Sequence, residues 1–108
     1  MKISQIEDAL GFEVVNLPED DRNIESVFCC DLLSLVMSRA PEDCAWVTVI
    51  GNVNTAAVAL LADVACIIVA ENCAIDADML EKVRDKEIAV FKTTLPVFEA
   101  AMAVQKLL

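Results

Sequence analysis

The sequence predicts an α/β protein: one layered domain, 1–108, with a mainly parallel sheet of about four to five strands, flanking helices and a central βαβ unit. Three observations predict it. The run Ala45 to Ile50 is apolar, rich in β-branched residues and stopped by Gly51. The segment Ala56 to Ala62 holds only Ala, Val and Leu, good helix formers apart from Val58. A second β-rich run, Ala65 to Ala70, follows and is closed by Glu71 and Asn72. Two unbroken apolar strands joined through a helix read as a parallel pair buried on both faces.

The remaining elements follow in order. Ser4 and Glu7 have capping-box spacing, which predicts a short helix from near Ile3 or Gln5 to Gly11. Phe12 to Leu17 reads as a strand stopped by Pro18, and the charged run Pro18 to Asn23 as a solvated loop. Ile24 to Cys30 has strand character, and Asp31 stands where an N-cap would open a largely buried helix, Leu32 to Arg39. Asp76 is placed to cap a helix running to about Lys86, with Met79, Leu80 and Val83 inward. Ile88 to Phe91 is a short strand, and Thr93 or Thr94 starts a last helix with Pro96 in its first turn. Strand and helix alternate through the C-terminal two-thirds, as a parallel sheet requires.

Composition narrows the function. The chain has 108 residues and a formal charge of −10, and its apolar fraction of 57% is above that of ordinary globular domains. An acidic surface with scattered basic residues repels phosphate backbones and anionic lipid, so neither nucleic acid nor membrane is expected as a partner. Asp63 interrupts the longest apolar stretch, which rules out a spanning helix there, and a cytoplasmic protein is the expectation. The apolar excess in so small a domain predicts a homo-oligomer, a dimer, through the helices Leu32 to Arg39 and Leu95 to Leu108. Cys29, Cys30, Cys44, Cys66 and Cys73 include no CxxC pair, and the chain has no histidine. Neither a metal site nor a cofactor is expected, and the thiols read as reduced, buried hydrophobes.

Three predicted strands end at polar clusters: Gly51-Asn52-Val53-Asn54-Thr55, Glu71-Asn72-Cys73 and Lys92-Thr93-Thr94. Ligands of parallel sheets sit beyond the carboxyl ends of strands. The expected ligand-binding residues are therefore Asn52, Asn54, Thr55, Glu71 and Thr93. Asn52 and Thr55 would read the ligand while Asn54 holds the turn and caps the helix. The plainer account makes the whole cluster a helix start. No P-loop and no GxGxxG exists, since the only glycines are Gly11 and Gly51.

CDLLSLVM at Cys30 to Met37, AWVTV at Ala45 to Val49, NVNTAAVALLADVACIIVAE at Asn52 to Glu71, and IAVFKTTLPVFEAA at Ile88 to Ala101 together resemble the DRTGG domain family. Asp21-Arg22 falls where the eponymous motif begins; Glu25, Ser26 and Val27 stand near the rest, without its glycines. The resemblance implies a regulatory or ligand-binding domain. It is similar to the N-terminal domain of the HPr kinase/phosphorylase, whose P-loop lies in another domain. It further implies an association with anaerobic hydrogenase and electron-bifurcating enzymes. The leading expectation is a non-catalytic module that binds a small ligand or a protein partner. The alternative is a thiol redox protein or small enzyme using Cys29, Cys30 or Asp31.

Overall fold

The computed structural model describes every residue, Met1–Leu108. A single turn of 3-10 helix, Ile3–Gln5, leads into α1 (Ile6–Leu10) and β1 (Glu13–Asn16). There follow β2 (Ser26–Cys29), α2 (Leu33–Arg39), β3 (Cys44–Thr48), α3 (Val53–Ala62), β4 (Cys66–Val69), α4 (Ala77–Asp85), β5 (Val90–Lys92) and α5 (Val97–Gln105). One sheet of five strands has the order β1-β5-β4-β3-β2; only β1 is antiparallel, on β5. The α/β class, the mainly parallel sheet and the central βαβ unit are those expected, with strand and helix ends displaced by a few residues.

Both central strands are buried along their whole length, because helices cover each face. Alternation divides their side chains. Trp46, Ile67, Val69 and Val90 meet Val36, Ala56, Ala59, Met79 and Val83 of α2, α3 and α4. Ala45, Val47, Ile68 and Phe91 meet Ile3, Ile6, Phe12, Ala100 and Val104, from the N-terminal turns and α5. The crossovers from β2 to β5 each step one strand in the same direction, so crossovers of one hand place α2, α3 and α4 on one face. The other face is left to α5 and the chain start.

Several local expectations need correction. Ser4 does not cap the first helix. Its N–H and hydroxyl donate to the two carboxylate oxygens of Asp21, at 3.0 and 2.7 Å, and Gln5 Oε1 accepts from Lys2 N instead. Those hydrogen bonds lower the Asp21 pKa. Asp31 does not cap α2, which has no side-chain cap; its carboxylate accepts from Thr48 Oγ1 at 2.6 Å and Val49 N at 3.0 Å, closing the end of β3. Nor is α2 largely buried: only Val36 is, while Leu32, Leu35 and Met37 are exposed. Of the five thiols only Cys44 and Cys66 are buried, and all five are free.

The loop after β1 is fastened by Arg22. Its guanidinium donates to Asp43 Oδ1 at 3.1 and 2.5 Å, to Asp63 Oδ1 and O at 2.9 Å, and to Val64 O at 2.9 Å. Asp43 and Asp63 both stand at positive φ, 63° and 55°, in turns at the amino ends of β3 and β4. One side chain thus pins the loop to two left-handed turns. Asp21-Arg22 thus works as a latch in this chain.

Two outcomes test these contacts. Arg22→Ala should cost about 2 kcal/mol, the scale of hydrogen bonds to charged groups, read as a lower urea midpoint. At Gly51 a Cβ would stand 2.1 Å from Ala74 O and 2.9 Å from Ile75 Cα, both backbone. Gly51→Ala must therefore shift the 70–76 loop, and a loss of about 1–3 kcal/mol is expected in the same measurement.

Candidate functional site

The start of α3 is closed by its own side chains. Asn52, extended at φ −120° and ψ 173°, accepts on Oδ1 from Asn54 N at 2.9 Å and Thr55 N at 3.4 Å. Thr55 is buried and its hydroxyl donates to Ile50 O at 2.8 Å. The cap expected at Asn54 is Asn52 instead, for a geometric reason. A cap must precede the first helical residue with non-helical backbone, which Asn52 does, whereas Asn54 is already inside the helix and exposed. With these donors satisfied, the α3 start has little left to offer an anion.

A cleft opens one strand further along. After β4 the chain turns to the face of α4; after β5 it crosses to the opposite face as α5. Where neighbouring parallel strands send their connections to opposite faces, a crevice forms at their carboxyl ends. Here it is a cavity of about 150 Å³ lined by Gly11, Glu13, Asn72, Lys92, Thr93 and Thr94, none of them hydrophobic. Glu13 and Lys92 are Cα partners in the antiparallel β1–β5 pair. Lys92 forms no salt bridge.

The walls are held by backbone hydrogen bonds. Glu71 N donates to Leu95 O at 2.8 Å and Asn72 N to Thr93 O at 2.9 Å, so the two departing loops are tied together at the base of the crevice. Glu71 and Asn72 are consecutive left-handed residues, at φ 59° and 52°. Such backbone is costly outside glycine and persists where its surroundings impose it. Thr93 is buried; its Oγ1 accepts from Leu95 N at 3.1 Å, leaving its proton to donate. The Lys92 ammonium, the Thr93 and Thr94 hydroxyls and the Asn72 amide thus supply donors around a small space, with Glu13 as an acceptor. That set has the donor chemistry suited to a polar or anionic group. It joins no hydroxyl to a carboxylate base.

Of the expected residues, Thr93 lines this crevice and Glu71 adjoins it through Asn72. Asn52, Asn54 and Thr55 belong to the neighbouring end of β3. Asn72 and Lys92 stand in the polar clusters expected after two of the strands but not among the expected ligand residues; the signal for them is their place beside Glu71 and Thr93. Glu13 had no such signal, since it reaches the crevice only through the pairing of β1 with β5.

The other candidates are weaker. No three His, Cys, Asp or Glu side chains cluster where a metal ion could be held. Cys29 is exposed, and partial burial, with Asp31 and Cys30 nearby, raises its pKa. A second cavity, about 100 Å³, lies at the amino ends of the strands beside Arg22 and Asp63, where the guanidinium is already fully engaged. No helix is long and apolar enough to cross a membrane.

No family model matches the sequence, and no curated protein matches it either. Among solved structures, the chain is similar to the CBS and DRTGG domains of the regulatory region of Clostridium perfringens pyrophosphatase, crystallised with its activator, diadenosine tetraphosphate. The TM-score is 0.76 at 17% identity, over 94% of this chain and 44% of that one. At that identity the likeness is one of fold. This chain thus spans less than half of the length of the regulatory region it resembles.

The cap assignment has a direct check. Asn52→Ala should cost about 1 kcal/mol in thermal or urea unfolding, and Asn54→Ala close to nothing. The opposite order would restore Asn54 as the cap.

Proposed function

We propose that this chain is a non-catalytic regulatory domain of the DRTGG kind, working in the cytoplasm as a homo-oligomer, that binds a small anionic ligand in the crevice between β4 and β5. One observation carries the proposal: an unpaired lysine among hydroxyl and amide donors, where two neighbouring parallel strands part, in a chain whose net charge is −10. In so acidic a protein, a lysine without an ion pair among hydroxyl and amide donors reverses the prevailing surface charge locally.

The size of the recess restricts the ligand. At about 150 Å³ it is below the roughly 300–1,000 Å³ usual for a whole small molecule, so it takes one polar group, with the rest of the ligand outside. A phosphate group fits both the volume and the donors. The regulatory region of similar fold is held with diadenosine tetraphosphate, which supports a nucleotide polyphosphate as the first class to try. Lys92, Thr93 and Thr94 would take the phosphate oxygens, and Asn72 and the exposed Glu71 would read polar groups beyond it. Asn54, exposed at the next strand end, extends that rim, while Asn52 and Thr55 hold its shape.

The thiol alternative has less support: the Asp31 carboxylate is engaged by Thr48 Oγ1 and Val49 N, and the Cys29 pKa is raised, where redox-active thiols have theirs lowered. Neither geometry nor the likeness in fold supports a link to hydrogenase metabolism, and none is proposed.

Isothermal titration with diadenosine tetraphosphate and with ATP tests the reading. Binding is expected to weaken as salt rises. Lys92→Ala should reduce affinity about tenfold or more, the worth of a charge-assisted hydrogen bond, without lowering the unfolding temperature. Absence of binding by both probes, or binding unchanged in Lys92→Ala and Thr93→Val, would refute it.

A further inference from the structure

The two edges of the sheet are treated differently. At β1 the edge carries Glu13, the register is irregular between Val14 and Asn16, and Asn16 Nδ2 donates to Val83 O and Ile88 O. Charge and irregularity are the usual guards of an exposed edge. The β2 edge has neither: Ser26, Val27, Phe28 and Cys29 pair with β3 in unbroken register and include no charge and no proline.

The helices beside β2 are as bare. In a chain with 24% charged residues, α2 has only Arg39 and α5, which lies over β2 and β3, only Glu99. Leu32 is 60% exposed, Met37 53% and Phe98 68%. A strip so poor in charge, with large apolar side chains exposed on the edge strand's neighbouring helices, has the character of an interaction surface.

The backbone says what fits it. Glu25 N donates to Asp43 O at 3.0 Å, so by alternation Val27 and Cys29 turn their peptide groups to β3, while Ser26 and Phe28 turn theirs outward. Two outward residues flanking Val27 are self-complementary about a two-fold axis: Ser26 of one copy can exchange both hydrogen bonds with Phe28 of another, and the reverse. We propose that β2 pairs antiparallel with β2 of a second copy of this chain, centred on Val27, with α2 packed against its counterpart on one face. This rests on the reading of the chain as a homo-oligomer and adds its surface. Two copies, each of charge −10, approach most readily where acid is sparse, and between its flanking Glu25 and Asp31 this strip carries only Glu99, on α5, against Arg39 on α2.

Sedimentation at micromolar concentration should show a dimer. Ser26→Pro removes an outward donor and no hydrogen bond to β3, and Leu35→Glu charges an exposed position of α2; each should give a folded monomer by circular dichroism. In the pairing, the two Val27 residues form a non-hydrogen-bonded pair with Cα atoms about 4.5 Å apart, within disulfide range. Val27→Cys in a Cys29→Ser background should therefore form a disulfide-linked dimer on mild oxidation. A wild-type monomer would overturn both the oligomer and the interface. A dimer that survives both disrupting substitutions, with no Val27→Cys cross-link, would overturn the interface alone.

Discussion

A parallel sheet must be covered on both faces, and the rest of this structure depends on that requirement. Every residue of β3 and β4 is buried, so neither side of the sheet centre can be left to water. Three successive crossovers of one hand, each moving the same way along the sheet, put all their helices on one face. The second face then has to be covered by chain that is not part of a crossover: the N-terminal turns and α5. The chain leaving β5 therefore crosses the sheet in the direction opposite to the chain leaving β4. The crevice between them is a consequence of covering the sheet.

The same logic separates the two polar strand ends. At β3 the connection goes to the same face as its neighbours, and the polar residues close on themselves: Asn52 on the α3 amides, Thr55 on Ile50, Asp31 on Thr48 and Val49. Beyond β4 and β5 the loops diverge, and the side chains of Asn72, Lys92 and Thr94 line open space. Polar sequence after a strand is thus stabilising in one place and available in the other. The difference comes from where the following helix goes, not from the residues.

That difference sets what was legible in the sequence. The segment from Ala45 to Ala70 was read closely, because strands buried on both faces are unbroken apolar runs and the helix between them carries few alternatives. Asp76 stands where the sequence expects a cap and is one, accepting from Met79 N at 2.8 Å. For α2, leucine and methionine suggest burial, but Leu32, Leu35 and Met37 lie on exposed positions beside a free edge, where composition alone does not separate core from contact surface. The cap falls at Asn52 instead of Asn54 because α3 begins earlier than its run of Ala, Val and Leu. The crevice joins Glu13 to Lys92 across most of the chain, and only the sheet order brings them together. In sequence the Asp21-Arg22 pair resembles the start of a motif; its work as a latch depends on two distant turns, at Asp43 and Asp63.

The central claim is that binding takes place where β4 and β5 part. Backbone amide resonances followed by NMR during titration with diadenosine tetraphosphate test it most directly. The account predicts that Asn72, Lys92, Thr93 and Thr94 move together and saturably, while Val53 to Thr55 move little. Shifts centred instead on the α3 start, or on Cys29 to Asp31, with the crevice unmoved, would contradict it.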